Sequence, residues 1–120
     1  MSEFAARPVI VDCDPGHDDA LALLLAAGDS RLRLLGVTTV AGNQTLDKTT
    51  RNALRILALA GVTDVPVAAG CDRPLVGELT VAEDIHGSSG LAVGLEVDAF
   101  WRLLMAAVRK VGGASGPYTG

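Results

Sequence analysis

The sequence predicts an α/β domain, with a parallel sheet flanked by helices in three layers. Apolar residues make up 49% of the chain and aromatic residues 3%, so the core must be aliphatic. Strands covered on both faces read as near-continuous Val, Ile and Leu runs, which suits this composition. Strand-like and helix-like segments also alternate along the first half of the chain, the pattern that right-handed crossovers turn into a parallel sheet. At 120 residues there is room for a single such domain.

The elements follow in order. Pro8–Asp14 (PVIVDCD) is a short apolar run ending in acidic residues, expected to be a buried strand leading into a loop. Pro15-Gly16 breaks it, and Asp18–Ala27 (DDALALLLAA) reads as an Ala/Leu helix closed by Gly28. Leu32–Val40 (LRLLGVTTV) is rich in β-formers and ends at Ala41-Gly42-Asn43. Thr45 is placed as an N-cap for a helix over Leu46–Ala60, with Leu46, Ala53, Leu54, Leu57 and Ala58 on one face and Gly61 as its stop. Val65–Ala69 (VPVAA) makes a third strand, with Pro66 near its start, where proline is tolerated.

The second half is less regular. Gly70–Gly90 has no clean period and reads as a loop. Ala92–Val97 alternates weakly, as a strand would. Asp98 is placed to cap a helix over Ala99–Val111, where Phe100, Trp101, Leu104 and Val108 form a core-packing stripe. The expected organisation is one α/β domain over residues 1–111 and a flexible C-terminal tail over 112–120.

Charge and cysteine usage narrow the function classes. A formal net charge of −4 argues against nucleic acid or an anionic membrane as partner. No apolar run reaches the length of a membrane span, and Ser2–Arg7 is not a signal peptide. Cys13 and Cys71 show neither Cys-x-x-Cys nor zinc-type spacing, so they read as free thiols in a reducing cytoplasm.

The chemistry concentrates in Asp12-Cys13-Asp14-Pro15-Gly16-His17-Asp18-Asp19, at the carboxyl end of the first strand. Ligands of open α/β sheets bind beyond the strand ends at this edge. Carboxylates this close repel one another unless a cation or protons offset the charge. Hard cations such as Ca²⁺ or Mg²⁺ prefer carboxylate oxygens. Asp18 and Asp19 also fall at a helix amino terminus, whose dipole favours negative charge. Spacing alone therefore admits both a cation site and a set of capping and surface carboxylates. A dinucleotide-binding turn is excluded, because there is no G-x-G-x-x-G and the turn is acidic where a pyrophosphate would sit.

The run VIVDCDPGHDDALALLLA resembles, without a gap, the DxDPGxDDA motif of the inosine-uridine preferring nucleoside hydrolases. The similarity continues through LLGVTTVAGNQTLDKTTRNALRILALAG, VPVAAGCDRPLV and IHGSSGL. The resemblance implies a Ca²⁺-dependent cleavage of the N-glycosidic bond of ribonucleosides, releasing ribose and free base. It implies Asp14 and Asp19 as metal ligands and Asp18 as the general base that takes a proton from metal-bound water, next to the ribose. Asn43 matches the family asparagine at the ribose end, and His86 a histidine near the leaving base. Read without the resemblance, these two are equally a turn asparagine and a loop histidine. Asp12 is expected to order the loop through hydrogen bonds, and His17 to be exposed.

The chain also departs from the family pattern. Members run to more than twice this length, and their middle supplies further metal and ribose ligands. Here AVGLEVDAFWRLLMAAVRKVG resembles the family's carboxyl-terminal strand and helix, and this resemblance implies a chain in which the two ends are joined without the centre. Ca²⁺ takes about six to eight oxygens, of which Asp14 and Asp19 would offer about three. The expectation is a truncated or engineered hydrolase, reduced from the nucleoside hydrolase fold, that binds Ca²⁺ weakly or not at all and turns over little. The alternative is a non-catalytic Rossmann-like or flavodoxin-like minidomain that keeps an acidic cation- or ribose-binding loop. An unpaired sheet edge would favour a homo-oligomer.

Overall fold

A computed structural model of the chain describes residues 5–91. The expected strand over Ala92–Val97, helix over Ala99–Val111 and tail over 112–120 lie outside the described residues. Three parallel strands, β1 (Arg7–Cys13), β2 (Leu32–Thr39) and β3 (Val67–Ala69), pair in the order β1-β2-β3. Two crossover helices, α1 (His17–Gly28) and α2 (Leu46–Leu59), connect them, and a one-turn helix α3 (Glu83–His86) follows.

Successive right-handed crossovers in one direction place their helices on the same face of a sheet. Accordingly α1 and α2 pack on each other and share one core of Cys13, Ala20, Leu23, Leu24, Val37, Ala53, Ile56, Leu57, Ala60 and Leu91. Along β1, Val9 and Val11 are partly buried and alternate with exposed Pro8, Ile10 and Asp12. Among the described residues no helix covers that second face, where Ile10 is 66% exposed. No helix of the described residues is long and apolar enough to cross a membrane.

Element boundaries follow local hydrogen-bond chemistry. β1 begins at Arg7, whose N–H donates to the Arg31 carbonyl (2.8 Å). It ends at Cys13, because the Asp14 N–H donates to the Asp19 carboxylate instead of to the sheet. β3 is shorter than expected: Pro66 has no N–H, and only its carbonyl joins β2, accepting from Val37 N–H at 2.9 Å. α2 ends as a Schellman motif: Gly61 adopts φ 73°, Gly61 N–H donates to Ala58 and Val62 N–H to Leu57. Thr45 occupies the N-cap position, but its side chain makes no capping bond.

Two expectations are corrected. The buried face of α2 is Thr49, Asn52, Ala53, Ile56 and Leu57, whereas Leu54 and Ala58 point outward. Polar side chains turn inward here because partners wait for them: Thr49 Oγ1 donates to the Val40 carbonyl (2.9 Å) and Thr39 and Thr50 share a hydroxyl bond (2.7 Å). The segment Gly70–Gly90 is not wholly loop, since α3 forms within it. One turn is too short to leave a hydrophobic period.

The turn between α1 and β2 is held by charge. The Arg31 guanidinium donates twice to Asp29, and the Arg31 backbone N–H donates a third bond, holding the Asp29 carboxyl down at about 2. A carboxyl whose folded pKa lies below its unfolded value stabilises the fold above the unfolded pKa and loses that contribution as pH falls through the folded one. Asp29→Asn should therefore lower Tm slightly at pH 7, and the gap from the parent should close as pH drops from about 4 to about 2. Paired thermal melts across that range check it; a gap that persists at the acid end would contradict the assignment.

Candidate functional site

The parallel sheet brings the carboxyl ends of all three strands to one edge, and four loops meet there. Asp14 leaves β1, Asn43 lies in the loop after β2, Gly70 and Cys71 follow β3, and residues 82–90 fold back across the edge. The Asn43 backbone N–H donates to Asp14 Oδ2 (2.7 Å), and the Asn43 side-chain amide donates to the Asp14 carbonyl (3.0 Å). Asp14 N–H in turn donates to Asp19 Oδ2 (2.9 Å). Three of the expected site residues, Asp14 and Asp19 with Asn43 from 29 residues beyond Asp14, thus form one hydrogen-bonded unit.

Glycines make this approach possible. A Cβ on Gly42 would overlap Asp14 Oδ2, and one on Gly16 would come within 2.7 Å of His86 Nδ1 and 3.0 Å of the Asn43 amide. These contacts involve side chains at the site itself, so a methyl there would displace the groups that line it.

Asp14 and Asp19 are half-buried and Asp18 is exposed on the first turn of α1. Burial pushes the Asp19 carboxyl up; the Asp14 N–H opposes this, while a side-chain hydrogen bond with Asp14 and the negative charges of Asp18 and Asp14 add to the rise. The Cys13 thiol is pushed up to about 12, first by burial and then by Asp19, Asp12 and Asp14. Its S–H donates weakly to the Thr38 carbonyl, and Cys13 and Cys71 are both free. Cys13 is therefore a neutral packing residue.

This donor set fits a hard cation. Its atoms are carboxylate oxygens, fixed by backbone N–H groups and cradled against Gly42, and a positive charge would offset the burial, and the lesser repulsion, that raise Asp19. Among the described residues no group of three or more His, Cys, Asp or Glu is arranged to hold a metal ion.

His86 ends α3, where it meets His17 at the start of α1: their Nδ1 atoms are 3.3 Å apart. His17 is half-buried, not exposed as expected, because the folded-back loop lies over it. Asp12 accepts a hydrogen bond from the Thr38 hydroxyl, so it ties β1 to β2 and does not order the loop.

Two residues outside the sequence-based expectations hold the loops in place. Asn52, 2% exposed on α2, donates its amide to both the Pro15 carbonyl (3.2 Å) and the Ser89 carbonyl (2.9 Å). Buried Gln44 donates to the Gly87 carbonyl (3.1 Å), and Ala82 N–H donates to the Asn43 carbonyl (3.0 Å). The signal for Asn52 was its place in the series 49, 52, 53, 56, 57, which follows helical spacing better than the all-apolar choice. Gln44 carried no such signal.

Known proteins similar to this chain point to one enzyme family. The family described as inosine-uridine preferring nucleoside hydrolase matches residues 9–113. The pyrimidine-specific ribonucleoside hydrolase RihA of Photobacterium profundum is 58% identical over 86 residues, covering 72% of this chain and 28% of that protein. The inosine-uridine preferring nucleoside hydrolase of Crithidia fasciculata is 56% identical over 85 residues, 71% of this chain and 27% of that protein. Among solved structures, a plant nucleoside hydrolase superposes with a TM-score of 0.66 at 41% identity, over 70% of this chain and 27% of its own. An inosine-guanosine nucleoside hydrolase superposes with the same TM-score at 28% identity, over 91% of this chain and 36% of its own. The chain thus spans between a quarter and two-fifths of the length of these relatives. With the motif, the fold and the whole-segment match in agreement, the chain belongs to the inosine-uridine preferring nucleoside hydrolase family.

Proposed function

We propose that this segment carries the cation- and ribose-binding half of a site that hydrolyses ribonucleosides at the N-glycosidic bond. The observation that carries the reading is the hydrogen-bonded unit of Asp14, Asp19 and Asn43 at the sheet's carboxyl edge. Asp14 and Asp19 would hold a divalent cation, Ca²⁺, and the chemistry it would supply is acidification of water beside the ribose. Exposed Asp18, on the first turn of the same helix as Asp19, would accept a proton from the attacking water. Asn43, its amide already anchored on the Asp14 carbonyl, offers its side-chain oxygen to a ribose hydroxyl. As water oxygen bonds to the sugar carbon and the carbon–nitrogen bond breaks, surrounding carboxylates stabilise the positive charge that develops on the ribose. His86 returns a proton to the leaving base. The ribonucleoside class is supported by the names of the relatives.

The chain by itself binds Ca²⁺ weakly and turns over little, because two carboxylates leave most of the coordination to water. Loss of about 4 kcal/mol in positioning costs roughly a thousandfold in rate. The described sheet has β1 and β3 at its edges, through which a second copy could add ligands. The same partial ligand set favours, as a second reading, a non-catalytic domain that keeps only a weak cation or ribose loop. Two free thiols support a reducing, cytoplasmic setting for either.

Calorimetric Ca²⁺ titration of the chain and of an Asp14→Asn/Asp19→Asn variant tests this, with inosine and uridine hydrolysis and light scattering on the same samples. Weak binding that the variant abolishes is expected, with any turnover confined to samples that scatter as oligomers. Ca²⁺ binding that survives both substitutions would remove Asp14 and Asp19 as ligands. Binding without turnover at any concentration selects the non-catalytic reading.

A further inference from the structure

We propose that His17 and His86 form a two-nitrogen clamp for a borderline divalent transition-metal ion of the Zn²⁺, Co²⁺ or Ni²⁺ class, chemically distinct from the oxygen site of Asp14 and Asp19. The two imidazoles come from α1 and α3, 69 residues apart in sequence, and present the same atom to each other: Nδ1 faces Nδ1 at 3.3 Å. Their ring centres are 5.1 Å apart and the planes are inclined by 42°.

The ring separation distinguishes two arrangements. With bonds of about 2.0–2.1 Å and a tetrahedral angle, two nitrogens on one metal lie about 3.3–3.4 Å apart and their ring centres about 5.2 Å apart. If the nitrogens instead pointed straight at each other across the same gap, the ring centres would lie about 5.6 Å apart. The observed 5.1 Å is too short for the head-on arrangement and agrees with the spacing that two nitrogens on one metal require. Without metal, one ring carries the proton on Nδ1 and donates it to the other. On binding, that ring changes tautomer, its proton passing through water to its own Nε2, and both Nδ1 nitrogens direct a lone pair to the metal.

The clamp is held in place before any metal arrives. His86 lies so close to Gly16 that a Cβ there would be 2.7 Å from its Nδ1. The backbone of α3 is fixed, because His86 N–H donates to the Ala82 carbonyl and Ala82 N–H donates to the Asn43 carbonyl. Imidazole suits Zn²⁺, Co²⁺ and Ni²⁺, whereas Ca²⁺ takes oxygen ligands, so the two neighbouring sites sort metals by softness. With two protein nitrogens and water completing the shell, affinity is modest.

The chain contains two histidines, so long-range proton–nitrogen spectra of the imidazoles identify each ring simply. Titration of the full chain with Zn²⁺ in excess Ca²⁺ should shift Nδ1 of both rings together at one equivalent. Co²⁺ in place of Zn²⁺ should develop the visible absorption of a low-coordinate ion. His17→Asn and His86→Asn should each weaken Co²⁺ binding at least tenfold, and Asp14→Asn should not. A Zn²⁺ response that leaves Nδ1 unshifted, that falls on one ring alone or that is absent from both would overturn the proposal, as would Co²⁺ binding that excess Ca²⁺ displaces. The spectra on the unaltered chain decide the matter even if a substituted chain fails to fold.

Discussion

Asn52→Leu is expected to destabilise the fold by about 2–5 kcal/mol, although leucine is the better core residue and the better helix former. The Asn52 amide is the shared donor for the Pro15 and Ser89 carbonyls, and Asn52 is almost fully buried. Removing it leaves both acceptors without that donor; the Pro15 bond is buried and the Ser89 bond part-buried, and a buried orphan costs about 1–3 kcal/mol, with a smaller loss at Ser89. The damage should extend to function, since Pro15 belongs to the acidic loop and Ser89 to the segment that carries His86 over it. Denaturant unfolding of Asn52→Leu beside Leu54→Ala, a substitution on the outward side of the same helix, measures the effect. Leu54 is 53% exposed, so its truncation should stay within about 0.5 kcal/mol. Equal stability of Asn52→Leu and the parent would mean that the two loops are held together by other contacts.

Leu23→Ala should cost about 2–5 kcal/mol, a large share of the stability of a small domain. Leu23 is 0% exposed on α1 and lies in the core that α1, α2 and the sheet build together. Truncation removes the transfer energy of its methyl groups and leaves a cavity that fixed backbones on both sides cannot collapse into. A two-state melt should show a fall of about 4–8 °C per kcal/mol for a domain of this size. Leu25, two residues on and 65% exposed, provides the contrast: Leu25→Ala should be near neutral. Comparable losses at both positions would contradict the placement of α1 against the sheet.

The order β1-α1-β2-α2-β3 was legible because each element carries its own local signal: aliphatic runs, helical periods and glycine stops. The acidic loop was legible because its residues are contiguous and fall where a strand must end. Gly61 is the clearest stop, since its φ of 73° is what the end of α2 requires. Asn52 and Thr49 were passed over because a polar residue on a buried face is explained only by a partner distant in sequence. The turn of α3 escaped notice because it depends on Ala82 being anchored to Asn43, across 39 residues of chain.

By itself the sequence determined the α/β class, the parallel crossovers, the family motif and the choice of Asp14, Asp19 and Asn43 as candidate site residues. Tertiary structure alone decided that Asn43 closes on Asp14, that Asn52 joins the two loops, and that His17 meets His86 Nδ1 to Nδ1. The division has one physical cause. Secondary structure and motifs are set by neighbours along the chain, within the reach of hydrogen-bond periodicity and turn chemistry. Hydrogen-bond partners across the sheet edge are set by how far and in what direction each loop folds back, which depends on packing of the whole core.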